Sequence, residues 1–114
     1  MANTFKAVTK ANVTSADVIY TVASSTTTIV LGLMLGNTTS SATTATVSLG
    51  SDTAGRAGNN DESNQTVELI TDVSIPGNSS LELMAGNKVV MEATDTLSLT
   101  ASGSADIAIS MMEI

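Results

Sequence analysis

The chain contains no cysteine, no histidine and no tryptophan, one proline, and only two aromatic residues, Phe5 and Tyr20. Each shortage closes a class of function. Without cysteine there is no disulfide framework and no thiolate metal site. Without histidine as well, the two side chains most used as nucleophile, general base and transition-metal ligand are missing. A serine hydrolase would need another base, and Lys6, Lys10 and Lys88 stand in no supporting motif. The expectation is a protein that is not an enzyme, with no catalytic residue, no metal site and no cofactor.

Charge is scarce too, at 13% of residues against a usual share of about 25%. It is also lopsided. Lys6 and Lys10 precede the first acid, Asp17, and all eleven acids follow, for a net charge of −7. A chain so charged repels phosphate backbones, which argues against nucleic acid as a partner. The distribution suggests a mildly basic, extended N-terminal arm over residues 1–15, reaching a neighbouring subunit, ahead of one domain over 16–114. Deleting its first ten residues is expected to leave that domain folded. No apolar run approaches the roughly twenty residues that span a membrane, and the first fifteen lack the apolar core of a signal peptide. The most apolar stretch, Thr28–Leu35 (TIVLGLML), reads as a buried strand.

With so few rings, Val, Ile, Leu, Met and Ala must fill the core. Each fully buried Val, Leu or Ile contributes only about 1.5–3 kcal/mol, which favours help from a subunit interface. Ser and Thr make up more than a quarter of the 114 residues, and threonine favours strands.

What is abundant is period two. Val18, Tyr20 and Val22 are expected on one face. So are Ile29, Leu31, Leu33 and Leu35, with Val30 and Met34 opposite, as in a strand covered on both sides. Ala45, Val47 and Leu49 alternate with Thr and Ser. Gly50–Gln65 (GSDTAGRAGNNDESNQ) breaks the pattern and reads as a long surface loop. Alternation resumes with Val67, Leu69, Val73 and Ile75, where Thr71 hints at a bend. Short segments then point Leu81 and Leu83, Val89 and Met91, Leu97 and Leu99 inward. Last come Ile107, Ile109 and Met111. About eight short antiparallel strands at this spacing predict an all-β sandwich, jelly-roll-like in the fullest reading.

Candidate chemistry dissolves on inspection. Glu82 and Glu92 alternate with inward residues, and Asp95 falls in a turn sequence. Asp52, Asn59, Asn60, Asp61 and Glu62 could supply oxygen ligands to calcium, but their spacing does not match the helical calcium loop. Four Asn-x-Ser/Thr triplets, at Asn12, Asn37, Asn64 and Asn78, carry little weight in so hydroxyl-rich a chain. Met112 and Ile114 lie out of phase with the inward residues of the last strand. They join Phe5, Lys6 and Lys10 as candidate subunit-interface residues.

The order IPGNSSLEL…GNKVVMEATDTLSLTAS…ADIAISMMEI, after an opening MANTFKAVTKANV and VIYTVASSTTTIVLGL, resembles small all-β virion structural proteins of tailed bacteriophages. The shared features are a Pro/Gly turn, a Ser-Leu-x-Leu strand, a Gly-x-Lys-hydrophobic strand, an acidic turn and a last strand ending in Glu-Ile. They cover most of the chain apart from Gly50–Gln65. The resemblance implies a non-enzymatic virion subunit assembled in the host cytoplasm, homo-oligomeric and often trimeric. It would bind other virion proteins, the major capsid protein first, as a capsid decoration (cement) protein. The rival readings are a neck or tail (fibre or baseplate) accessory protein, a carbohydrate- or cell-binding adhesion module, and a calcium-stabilised adhesive domain.

Overall fold

A computed structural model of the chain describes residues 3–51, 65–84 and 86–114. Among them are nine strands and no helix. These are β1 (Thr4–Val13), β2 (Ala16–Thr21), β3 (Thr28–Asn37), β4 (Thr43–Gly50), β5 (Val67–Ile75), β6 (Ser80–Leu83), β7 (Val89–Met91), β8 (Thr96–Ala101) and β9 (Ala105–Glu113). They form two packed antiparallel sheets, β1-β9-β3-β6 with β7 also on β3, and β2-β8-β4-β5. The pairs β4·β5, β3·β6, β2·β8 and β1·β9 are nested like the rungs of one long hairpin. Rolled up, that hairpin gives the eight-strand, two-sheet jelly-roll order, with β7 as a short addition.

The alternation closes this sandwich. Leu33, Leu35, Val47, Leu97, Leu99, Ile107, Ile109 and Met111 are buried between the sheets. No ring lies among the fully buried side chains, and Tyr20 packs only at the margin of the core.

Three expectations change. Thr4–Val13, expected as part of an arm, is extended but paired with β9 from Thr4↔Glu113 to Val13↔Ala105. It is an edge strand, and Val8 packs on the core, so deleting the first ten residues would strip the sheet and leave β9 unpaired on that side. In β2 a register shift between Val18 and Tyr20 turns the faces over: Val18 is 56% exposed and Ile19 packs inward. In β3 a shift between Val30 and Gly32 makes Leu31 the extra residue of a bulge. Val30 therefore joins Leu33 and Leu35 inside, while Ile29 and Met34 face out. One inserted residue reverses every side chain beyond it. The bend suggested at Thr71 coincides with shifts in β5, where Asp72 has φ +47°. The loop expected at 50–65 lies outside the described residues from position 52 to position 64.

Candidate functional site

The outer face of the β1-β9-β3-β6 sheet is where exposed apolar residues gather. Phe5 is opposite Met112, Met112 opposite Ile29, and Ile29 opposite Val90. Because antiparallel partners share a face, these four side chains form one continuous row across β1, β9, β3 and β7. Phe5 is 74% and Val90 61% exposed, and the two between them are half-buried by their neighbours. The adjacent row, Ala7–Ser110–Gly32, has only small side chains. The next contains Met34, itself half-exposed, beside Ala108 and Glu82. Neither of the first two rows carries a charge, although the chain has a net charge of −7.

Of the five interface candidates, the structure brings Phe5, Met112 and Ile114 to this face. Ile114 extends the outer side of β9, its backbone N–H and C=O bonded to Thr27 at 2.8 and 3.2 Å. Lys6 and Lys10 go elsewhere. They alternate with Phe5 on the opposite side of β1, where Lys6 meets Glu113 at 3.0 Å and Lys10 meets Asp17 of β2 at 3.4 Å. Ile29 and Val90 belong to the apolar row as well. For Val90 the signal was the Val-Val pair, in which one member must point outward; for Ile29 it was hidden by the bulge.

Glu113 latches the carboxyl end to both sheets. Its Oε2 accepts a hydrogen bond from the Tyr20 hydroxyl at 2.5 Å, and the same hydroxyl lies 2.7 Å from Thr28 Oγ1. These bonds, first that from Tyr20 and then that from Lys6, hold the Glu113 carboxyl below the usual carboxylate range. Burial, together with the hydrogen bond to Glu113, pushes the Tyr20 hydroxyl up. A depressed folded-state pKa stabilises the fold above the ordinary glutamate value of about 4.3, and that contribution is lost as pH falls through the lower folded value. Glu113→Gln is therefore expected to melt below wild type at pH 7. Melting curves from pH 7 to pH 2 should show the gap closing; a gap independent of pH would remove the carboxylate from the account.

Asp95 sits in the β7–β8 turn, 3% exposed. Its Oδ2 accepts from the Glu92 backbone N–H at 2.9 Å and from Ser51 Oγ at 3.4 Å, while Oδ1 has no hydrogen-bond partner among the described residues. Glu82 is solvent-facing as expected. Asp52, Asn59, Asn60, Asp61 and Glu62, the calcium candidates, lie outside the described residues. Among the described residues no three His, Cys, Asp or Glu side chains converge on a point where a metal could sit, and no helix is long and apolar enough to cross a membrane.

No protein-family model and no curated protein matches the sequence. Two solved structures are similar in fold. One belongs to the disulfide-linked pili that form Bacillus endospore appendages, at 12% identity and TM-score 0.47, over 98% of this chain and 84% of that one. The other comes from the T13 particle of the virus IBDV, at 9% identity and TM-score 0.39, over 97% of this chain and 35% of that one.

Proposed function

We propose that this protein is a non-enzymatic structural subunit of a virion, which binds other virion proteins and stabilises the particle as a capsid decoration protein. The observation that carries the structural role is the uncharged apolar row Phe5–Met112–Ile29–Val90, held on a rigid sheet of a molecule without imidazole or thiol. Contiguous exposed apolar surface rimmed by polar residues marks an interaction site. The virion assignment rests on the sequence resemblance. The stabilising mechanism is mass action: a protein that binds only the assembled shell raises that shell's stability. The carbohydrate-binding reading is weaker, because Tyr20 is half-buried with its hydroxyl committed to Glu113. Phe5 is left as the one exposed ring.

Quantitative mass spectrometry of purified particles tests the assignment. Hundreds of copies per particle are expected for a shell protein; a dozen or fewer would place it in the neck or tail, and none would end the virion reading. The double variant Phe5→Glu/Val90→Glu should lower incorporation by roughly tenfold or more, since buried aromatic anchors at interfaces are commonly worth about 2 kcal/mol or more.

A further inference from the structure

We propose that the outer face of the β1-β9-β3-β6 sheet is covered by the same face of a second copy of this chain, sheet on sheet about a twofold axis. This rests on the reading of that face as a contact surface and names what occupies it. Three observations lead there.

The first is glycine in mid-strand. Gly32 and Gly36 lie on the outer face of β3, opposite Ser110 and Asp106. Neither has positive φ, and a Cβ at either position would meet nothing within 4 Å. Glycine in a strand interior costs about 0.5–1 kcal/mol relative to alanine. Gly32 follows the bulge at Leu31, but no contact among the described residues requires a glycine at either position. A strand glycine with open space above it is where another backbone or side chain comes close, and none among the described residues does so here.

The second is the way the edges are guarded. Edge strands invite pairing unless charge, bulges or shortness prevent it. The β1 edge carries the inward-pointing Lys6 and Lys10. The β2 and β5 edges are bulged. β6 and β7 run for only four and three residues. Strand addition is discouraged at every edge among the described residues, and the apolar face carries no such guard.

The third is charge and shape. Copies with a net charge of −7 repel except where they meet through neutral surface, and the face supplies it. A twofold axis through the middle of the row Phe5–Met112–Ile29–Val90 lays Phe5 over Val90 of the second copy and Met112 over its Ile29. It also lays Gly32 over Ser110 of the second copy, small residue on small residue, and leaves Glu82 and Asp106 at the rim. Four strands at about 4.8 Å and some seven residues at about 3.4 Å cover on the order of 500 Å² per copy. The total of about 1,000 Å² is the lower limit of a specific interface, so the dimer should be concentration-dependent. Such a contact is isologous and closes at two copies, where the resemblance implied three.

Sedimentation equilibrium of the full chain over a range of concentrations tests this. The mass should rise from 11.5 kDa to twice that value. The Cβ of Gly32→Arg meets nothing within 4 Å among the described residues, so the variant should fold with a melting temperature close to wild type and stay monomeric. Val90→Glu should do the same. Val18→Glu, at an equally exposed valine on the other sheet, should dimerise like wild type. A wild type that is monomeric throughout, a trimer, or equal dissociation by Val18→Glu would overturn the proposal. A monomer that still enters particles, and fails to do so with Phe5→Glu/Val90→Glu, would overturn the second copy as occupant while leaving the structural-subunit reading standing. Failure of that reading would show instead as absence from particles.

Discussion

Asn37→Asp, a change of one atom, should lower stability by about 3–5 kcal/mol. Asn37 ends β3 and is 3% exposed. Its Nδ2 donates to the carbonyls of Ser41 at 2.8 Å, Ile75 at 2.9 Å and Pro76 at 3.3 Å. Its Oδ1 accepts from the Thr39 backbone N–H at 2.9 Å and from Thr39 Oγ1 at 2.8 Å. One amide therefore ties the β3–β4 loop to the β5–β6 turn, with donor and acceptor each facing the partner it needs. The packing leaves little room to adjust, since a Cβ on Gly77 of that turn would come within 2.3 Å of the Ser40 carbonyl oxygen. Aspartate keeps the shape and the acceptor but sets a second oxygen against three carbonyl oxygens. Ser41 O and Pro76 O keep other donors, Thr39 Oγ1 at 2.8 Å and Ser79 Oγ at 2.7 Å, but the buried Ile75 carbonyl loses this one, at about 1–3 kcal/mol, and a buried charge adds to it. At roughly 4–8 °C per kcal/mol for a domain near this size, the variant should melt at least about 12 °C below wild type at pH 7. Lower pH should restore part of the loss, because a protonated carboxyl has one O–H to donate. Melting within a few degrees of wild type at pH 7 would show that the amide does not hold the loops.

The same residue marks where sequence reading stops. Asn37 opens one of the Asn-x-Thr triplets, yet its side chain is committed inside the fold. Nothing local announces three carbonyl partners, two of them nearly forty residues away. The alternation of β4, β8 and β9 was legible because the core-facing residues of each recur at every second position, and no bulge interrupts it. In β2 and β3 it misled, because one inserted residue exchanges the faces. Gly32 beside Leu31 was the available hint, since a strand glycine often marks a bulge. β1 passed for an arm because an edge strand carrying Lys6 and Lys10 on its inner side shows no apolar alternation. Its partner β9 is about a hundred residues distant in the chain. Half of the candidate face was readable: Phe5, Met112 and Ile114 stand out as apolar residues with no inward role. That they stand in register with Ile29 and Val90 is a fact of strand pairing.

Leu99→Ala and Val18→Ala separate these two situations. Period two alone treats the two residues alike. In the structure Leu99 is fully buried in β8, between Val47 of β4 and Asp17 of β2 in register, whereas Val18 is 56% exposed. Leu99→Ala should cost about 2–5 kcal/mol, the lost transfer free energy plus the cavity left behind. The core is aliphatic, with Met91 and Met111 its softest members, and methionine adapts to irregular gaps. How far those two can move in decides where in that range the value falls. Leu99→Met conserves volume and should cost less than about 1.5 kcal/mol. Val18→Ala should stay within about 0.5 kcal/mol of wild type. Urea denaturation reads all three as shifts in midpoint at constant slope. If Val18→Ala cost as much as Leu99→Ala, the bulge in β2 would be wrong and Val18 would face the core. If Leu99→Ala cost less than about 1 kcal/mol, the two sheets would not close over β8, and the rigid platform that displays Phe5, Met112, Ile29 and Val90 would be lost with them.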